Sequence, residues 1–415
     1  MDTKDHKPVY LLMVTANNNN KYYRMIASED GQSFTAEYGR VGSSSQKRTY
    51  PIYQWEKKYN EKIRKGYTDQ THLMEDLITT IKPKKEKSEY KAIEDKAIAE
   101  IVERLMAMAR QKVQQNYRVE SNQVTQAMVD EAQKIIDKLV TIKTVGKFND
   151  KLMELFTTIP RKMSNVNLFL ATSTDDFARI IKDEQDLLDV MRGQVVTHAV
   201  EDEEPEDDQP VRDETILEAM GLTMEPVSDD EIELIKSKLG DCKDKFYQAW
   251  KVTNNKTQKR FDEFVAKEEI KDTRLFWHGS RNENWWSIIN TGLVLRPTNA
   301  VITGKLYGYG IYFAPKARKS LGYTSLSGSY WARGNSSSAF MALMDVAYGD
   351  PYDVYSFDSK YNSLTYEGLQ KFKSGANSLH AHAGADMGYG NPLRNDEVIV
   401  YKEDQVTIKY LVELR

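Results

Sequence analysis

Leu275-Phe276-Trp277-His278-Gly279-Ser280, followed about thirty residues on by Tyr309-Gly310-Ile311-Tyr312-Phe313-Ala314, then by Lys319-Ser320 and Tyr323, and near the C-terminus by Glu397-Val398-Ile399-Val400-Tyr401, decides the fold of this chain. Each run has strand character. Thr273 to His278, Gly310 to Ala314, Asp353 to Phe357, Glu397 to Tyr401 and Val406 to Leu414 alternate or run apolar between turn residues. In the fourth, a strand places Glu397, Ile399 and Tyr401 on one face and Val398 and Val400 on the other. Trp285-Trp286-Ser287-Ile288-Ile289 reads as a helix stopped by Gly292. Residues 269–415 therefore read as a mixed α and β domain, mainly antiparallel.

The polar residues set into these runs suit one chemistry, rupture of the bond between nicotinamide and ribose in NAD. That reaction passes through an oxocarbenium-like centre and wants a carboxylate beside the sugar. Glu397, an acid opening an apolar strand, is the candidate. The flat nicotinamide ring is best held between aromatic faces, and Tyr312 and Tyr323 bracket a short turn from which both rings reach one slot. The carboxamide needs an acceptor and donors, which a close backbone at Gly279 and the hydroxyl of Ser320 supply. His278 can bond a ribose hydroxyl without carrying charge. Taken singly, a His beside a Trp, tyrosines in a strand and an acid at a strand end are ordinary packing. Four ordered matches within about 125 residues make coincidence a poor explanation. Gly308-x-Gly310 lacks the third glycine and following helix of a dinucleotide loop, so a Rossmann reading is rejected.

The order His-Gly-Ser, Gly-Ile-Tyr-Phe-Ala, Lys-Ser-x-x-Tyr and Asn-x-Glu-x-x-x-Tyr closely resembles the catalytic domain of the DNA-dependent poly(ADP-ribose) polymerases, diphtheria-toxin-like ADP-ribosyltransferases. The resemblance implies a His-Tyr-Glu triad at His278, Tyr312 and Glu397. It further implies that Gly279 and Ser320 bind the carboxamide, that Tyr323 stacks on nicotinamide, and that Ser280 and Asn284 face the adenosine half. Lys319 is implied as an accessory group near the acceptor. Glutamate at the third triad position is the polymerase pattern, whereas an aliphatic residue there usually limits transfer to one ADP-ribose. The loop Val294 to Gly304 is implied to lie over the donor, with Val294 where a basic residue is common and Arg296 two positions on.

Working outward, a chain of 415 residues with formal net charge −4 suggests two to four domains with ordinary cores. No apolar run approaches a membrane span, and the N-terminus lacks the apolar segment of a signal peptide, so no membrane association and an intracellular location are expected. The single cysteine, Cys242, makes no internal disulfide, and no Cys/His cluster has zinc spacing. His380-Ala381-His382, in an Ala/Gly-rich stretch with Asp386 near, reads as a flexible loop, and no metal is expected. Charge is uneven along the chain. Residues 1–88 hold sixteen Lys and Arg against eleven Asp and Glu, while Glu201 to Asp208 is almost wholly acidic.

Residues 8 to about 80 alternate between apolar runs and turns: Val9 to Val14, a polar Asn17 to Asn20 turn, Lys21 to Ile26, a Gly31 turn, then Phe34 to Gly42. They read as a small antiparallel sheet, closed by an amphipathic helix from Tyr53 to Arg64. Three strands and a helix with Tyr38-Gly39-Arg40-Val41-Gly42 resemble the WGR domain, with tyrosine in place of its tryptophan. An aromatic ring can stack on an exposed sugar or base at a DNA end, and a guanidinium can fork onto a terminal phosphate. Tyr38 and Arg40 are the candidate contacts; the alternative is that Tyr38 packs in the sheet and Arg40 caps a turn.

Pro83 to Lys87 is a charged linker. Beyond it the period becomes helical, with stripes Ile98, Ile101, Val102, Leu105, Met108 and Val124, Met128, Ala132, Ile135, Ile136, Leu139. Further helices are expected from Asp175 to Met191, after the Ser228/Glu231 capping box, and from Lys243 to Lys251. The expected division is a WGR-like domain at 1–82, a linker at 83–90, an all-helical regulatory domain at 91–268 with an acidic insertion near 199–214, and the catalytic domain at 269–415. Thr158-Ile159-Pro160 matches a helix-ending feature of the bundle that restrains NAD access in the resembling polymerases.

The expectation is an NAD-dependent poly-ADP-ribosyltransferase acting in the DNA damage response and DNA repair. It would be activated by DNA ends or breaks, notably 5′-phosphorylated ones, and would modify protein acceptors including itself, with release of nicotinamide. Mono-transfer, and a DNA-binding scaffold with a vestigial cleft, are the alternatives. The compartment expected is the nucleus of a eukaryotic cell or the nucleoid of a bacterial one. Acceptor residues, polymer length and oligomeric state are not legible.

Overall fold

A computed structural model describes residues 6–41, 43–73, 89–117, 124–202, 212–296, 298, 306–356, 358–386 and 393–415. The linker Pro83 to Lys87, the acidic residues 203–208 and most of the loop 297–305 lie outside the described residues. The chain divides into two compact units, one formed by Met1–Lys87 with Arg110–His198 and the other by Ser88–Ala109 with Ala199–Arg415.

The first unit opens with strands β1 (Val9–Thr15), β2 (Asn19–Ala27), β3 (Ser33–Arg40), β4 (Gln46–Pro51) and β5 (Thr68–Asp69), in the sheet order β4-β3-β2-β1-β5. All pairs are antiparallel. Asn18 turns β1 into β2 with φ of 59°, a left-handed backbone that asparagine tolerates. One sheet face buries Leu11, Tyr23, Met25, Phe34 and Ala36 against Trp55 of the helix Trp55–Arg64. That helix begins two residues later than the Tyr53 expected from sequence. Pro51 and a short 3₁₀ turn at Ile52–Gln54 delay it.

The helical part of this unit carries the second of the predicted stripes. The helix Gln126–Leu139, capped by Thr125, buries Met128, Ala132, Ile135, Ile136 and Leu139. The helix Val145–Thr158 ends where Ile159 turns extended ahead of Pro160, since the residue before a proline disfavours helix. Just beyond, Arg161 is buried and paired with Glu184 of the long helix Phe177–Asp202. Its guanidinium lies 5.2 Å from the Tyr117 ring centroid, so the charge is held by a carboxylate and a π face together.

The second unit contains two sheets. One has the order β6-β7-β14-β10-β8, made of β6 (Leu222–Pro226), β7 (Phe246–Asn254), β8 (Thr273–Gly279), β10 (Ala339–Ala347) and β14 (Val406–Leu414). The other has the order β11-β12-β13-β9, made of β9 (Ile311–Phe313), β11 (Pro351–Ser356), β12 (Ser378–Asp386) and β13 (Glu397–Val400). The two are stitched by one bridge, in which Trp277 and Ala314 exchange backbone hydrogen bonds of 2.9 and 3.0 Å.

Three expectations are corrected here. Residues 91–268 are not all helical, because β6 and β7 join the catalytic sheet. Lys243 to Lys251 is a 3₁₀ turn leading into β7, and Ala249, Trp250 and Val252 are buried in that sheet. The His380-Ala381-His382 stretch is not a loop but the middle of β12, which pairs in parallel with β11 and antiparallel with β13. Its Ala/Gly content suggested a loop, yet Ala381 is buried where a larger side chain would crowd the strand. Among the described residues no helix is long and apolar enough to cross a membrane.

The helix Lys96–Asn116 brings Arg104 to β14. Its guanidinium makes two hydrogen bonds, of 3.0 and 2.7 Å, to the fully buried carboxylate of Glu413. A forked guanidinium satisfies a planar carboxylate at both oxygens, which is what permits the acid to sit inside the sheet.

Candidate active site

The seam between the two sheets collects the polar residues singled out in the sequence. β8 delivers His278 and Gly279, β9 delivers Tyr312, β13 delivers Glu397, and the short helix Ala317–Leu321 delivers Lys319 and Ser320. The helix is fixed because Ala317 is buried with Trp277, Met341 and Leu343, and Leu321 packs on the same cluster. Gly279 is required by proximity: a Cβ there would lie 2.0 Å from the Ser320 carbonyl oxygen. Gly310 is held likewise, since its Cβ would meet Ile399 Cγ2 at 2.2 Å.

Register fixes the faces. Tyr312 pairs with Ile399, and Ile399 shares a face with Glu397, so the Tyr312 ring and the Glu397 carboxylate project from one side of the sheet. Glu397 is 9% exposed and forms an ion pair with Lys319. Burial pulls the Lys319 ammonium down to about 7, while the Asp396 carboxylate works in the opposite direction. The direct contact with Glu397 also favours the charged form, so the pair is best described as an ammonium and a carboxylate held together out of water.

His278 is kept neutral. Burial drives its pKa down to about 4, against a hydrogen bond with the Tyr312 backbone. Its Nδ1 lies 3.2 Å from the Tyr312 carbonyl oxygen, which accepts, so the proton sits on Nδ1 and Nε2 is left as an acceptor. Ser320 is buried and its hydroxyl donates to the Trp277 carbonyl at 3.0 Å. Its oxygen is then an acceptor toward a ligand, and the donor expected of it is spent on the strand. Tyr312 donates its hydroxyl to the Gly308 carbonyl at 3.1 Å and accepts from the Tyr307 backbone at 3.2 Å, which locks the ring. Asn284 Nδ2 donates to Ser280 Oγ at 2.9 Å, while Asn284 Oδ1 is buried with no partner among the described residues, an arrangement that fits a ligand hydroxyl.

Tyr323 ends the turn after Ser320, and the Trp331 indole stacks on it with centroids 6.2 Å apart at 18°. Trp331 is a residue that sequence reasoning missed. It is 63% exposed, and nothing in the Ser/Gly-rich run around it marks it as a neighbour of Tyr323.

Tyr38 and Arg40, in the first unit, are engaged within it. Tyr38 stacks on Tyr23 at 5.7 Å with the Lys62 ammonium 5.6 Å from its ring centroid. Arg40 donates to the Asn18 carbonyl and side chain, at 2.9 and 2.8 Å, and to the Ser164 and Met163 carbonyls, at 3.1 and 3.4 Å. Asn20 adds a buried bond to the Arg161 carbonyl at 3.1 Å, and Val166 N donates to Asn18 Oδ1 at 3.1 Å.

The cleft, with a locked tyrosine and a neutral histidine beside a buried glutamate, is that of an NAD⁺ ADP-ribosyltransferase. The model of the poly(ADP-ribose) polymerase catalytic domain matches residues 231–415, and that of the WGR domain matches residues 8–73. The chain is 32% identical over 191 residues to a putative poly(ADP-ribose) polymerase-like protein of Invertebrate iridescent virus 6, which covers 45% of this chain and 94% of the viral protein. It is 24% identical over 461 residues to poly(ADP-ribose) polymerase 2 of Zea mays, covering 96% of this chain and 68% of the maize protein. With poly(ADP-ribose) polymerase 2 of Homo sapiens it shares 30% identity over 166 residues, 36% of this chain and 27% of the human protein. The chain belongs to the poly(ADP-ribose) polymerase family.

Proposed function

We propose that this protein transfers ADP-ribose from NAD to protein acceptors, itself included, extends the first unit into a polymer, and is switched on by DNA ends. The observation that carries the polymerase reading is the buried Glu397, paired with Lys319 and sharing a sheet face with Tyr312. In the donor complex Tyr312 and Tyr323 hold the nicotinamide ring, Gly279 and Ser320 bind its carboxamide, and Ser280 and Asn284 meet the adenosine half. His278 Nε2 accepts from a ribose hydroxyl. The bond from the ribose anomeric carbon to the nicotinamide nitrogen breaks with its electron pair leaving on nicotinamide, and an acceptor oxygen bonds to that carbon as its hydroxyl proton passes to water. Glu397 holds the adjacent ribose hydroxyl and polarises the acceptor hydroxyl, while Lys319 orients the carboxylate. The reaction as proposed uses no metal.

The DNA switch is assigned to Tyr38 and Arg40. A terminal phosphate that takes the Arg40 guanidinium competes with Asn18, Met163 and Ser164 for the same donors, so DNA binding and release of the 163–164 segment become one event. Within the second unit, Arg104 on Glu413 is the clasp that ties the first long helix to the catalytic sheet. The division of labour proposed is DNA sensing by residues 1–82, restraint by the helices, and chemistry by the two sheets that start at Leu222, in a nucleus or a nucleoid.

Incubation of the full chain with labelled NAD, with and without 5′-phosphorylated duplex, tests this. A DNA-stimulated ladder supports the reading. A single discrete band means mono-transfer, and DNA binding without incorporation means a scaffold.

A further inference from the structure

On the face of the second sheet opposite Glu397, a group of polar side chains has no part in the donor site. His380 and His382 are two apart on β12 and so share a face. Asp353 of β11 is the register partner of His380 in the parallel pair and joins them. His380 pairs with Val398 across β13, the alternate of Glu397, which puts the group on the far side of the sheet from the catalytic acid.

We propose that Asp353, His380 and His382 form a site for a divalent transition metal of the zinc class. One donor atom from each lies within 4.8 Å of the other two. His382 Nε2 is 2.6 Å from Asp353 Oδ1. Asp396, outside this group, holds His380, its Oδ2 3.0 Å from His380 Nε2 and its other oxygen fixed by the Ala383 backbone at 2.9 Å. A metal about 2.1 Å from each ligand draws the donors to roughly 3.4 Å apart, and the exposed Asp353 supplies the movement.

Two further features fit a ligand set. The Tyr348 hydroxyl oxygen lies 2.8 Å from His380 Nδ1 and can accept a proton carried there, the tautomer that offers Nε2 to a metal. The Tyr355 ring lies flat on His382, with centroids 4.5 Å apart at 5°, and restricts its rotation. Without metal the imidazole and carboxylate atoms hydrogen-bond to one another, and a bound metal takes the place of those contacts. Occupancy ties β11 to β12 at one point, on the strand that pairs with the Glu397 strand β13.

The test uses the full chain, stripped with a chelator and titrated with Zn²⁺ by calorimetry, with Co²⁺ absorption as a second probe of coordination. The expected result is one ion per chain and a rise in Tm with zinc. His382→Ala and Asp353→Asn should lose the saturable event while keeping the circular dichroism of the parent. Tyr348→Phe, which leaves all ligands in place, should weaken binding about tenfold. The proposal is overturned if the stripped chain takes up no zinc, or if zinc binds the folded His382→Ala chain as it binds the parent. Neither result bears on the donor cleft, which lies across the sheet.

Discussion

The cleft around Glu397 and the strand carrying Tyr38 and Arg40 were both marked by short motifs, yet they use their residues differently. In the cleft the scaffold takes the backbone and one side-chain atom, and leaves another atom over. His278 gives Nδ1 to Tyr312 and keeps Nε2; Asn284 gives Nδ2 to Ser280 and keeps Oδ1. At the N-terminal sheet the scaffold takes the whole group, since the Arg40 guanidinium is bonded to Asn18, Met163 and Ser164 and the Tyr38 ring lies against Tyr23. A site that leaves atoms over is built to bind at once, whereas one whose atoms are occupied must exchange partners to bind. The catalytic half is thus preorganised, and the proposed DNA contact at the N-terminal sheet would have to give up bonds the scaffold already makes.

The sharpest break of that contrast is at Gly279. Gly279→Ala places a methyl against the Ser320 carbonyl, and NAD-dependent transfer is expected to fall by more than about 100-fold, read in a nicotinamide-release assay. Near-normal turnover would mean that the β8 end and the Ser320 helix separate easily. Next in size, Glu397→Gln is expected to cut chain elongation by about 100-fold or more with NAD affinity changed only a few-fold, measured as polymer length beside calorimetric binding. Unchanged polymer length removes Glu397 from its assigned role.

Arg40→Ala tests the other side. It removes the guanidinium from four acceptors and should destabilise the first unit by about 2–3 kcal/mol, seen in denaturant melts, while the dependence of transfer on DNA declines. Arg104→Ala should raise transfer in the absence of DNA several-fold, at a stability cost of about 3 kcal/mol from the buried Glu413. If basal transfer stays flat, Arg104 is a fold contact and not a clasp.

A further prediction is a pH dependence. The folded pKa of His278, about 4, lies below its ordinary 6.5, so the unfolded chain binds the proton more readily. The stabilisation from neutral His278 is complete above about 6.5 and is lost as pH falls toward 4. His278→Gln should flatten this part of the curve of Tm against pH.

Much of the cleft could be read from the chain because its demands are local: a glycine where backbone meets backbone, an acid at a strand start, a tyrosine beside Gly-Ile. What escaped reading depends on contacts between distant segments. The Lys319 to Glu397 pair spans 78 positions, and Trp331 finds Tyr323 only through the fold of a polar loop. β10, Ala339–Ala347, is buried on both faces, so it shows no alternation to read. β7 and β12 were misassigned because charged residues in one and alanines in the other suit helix or loop until neighbours on both sides turn them into strands.

Trp331 also makes the molecule legible to light. Of the six tryptophans, Trp55, Trp250, Trp277, Trp285 and Trp286 are all at most 6% exposed, against 63% for Trp331. A dissolved collisional quencher therefore reaches one indole and leaves five emitting, and that indole lies on Tyr323. If Tyr323 stacks on nicotinamide as proposed, the protein carries its own dye beside the donor site, and no label need be attached to watch the donor arrive.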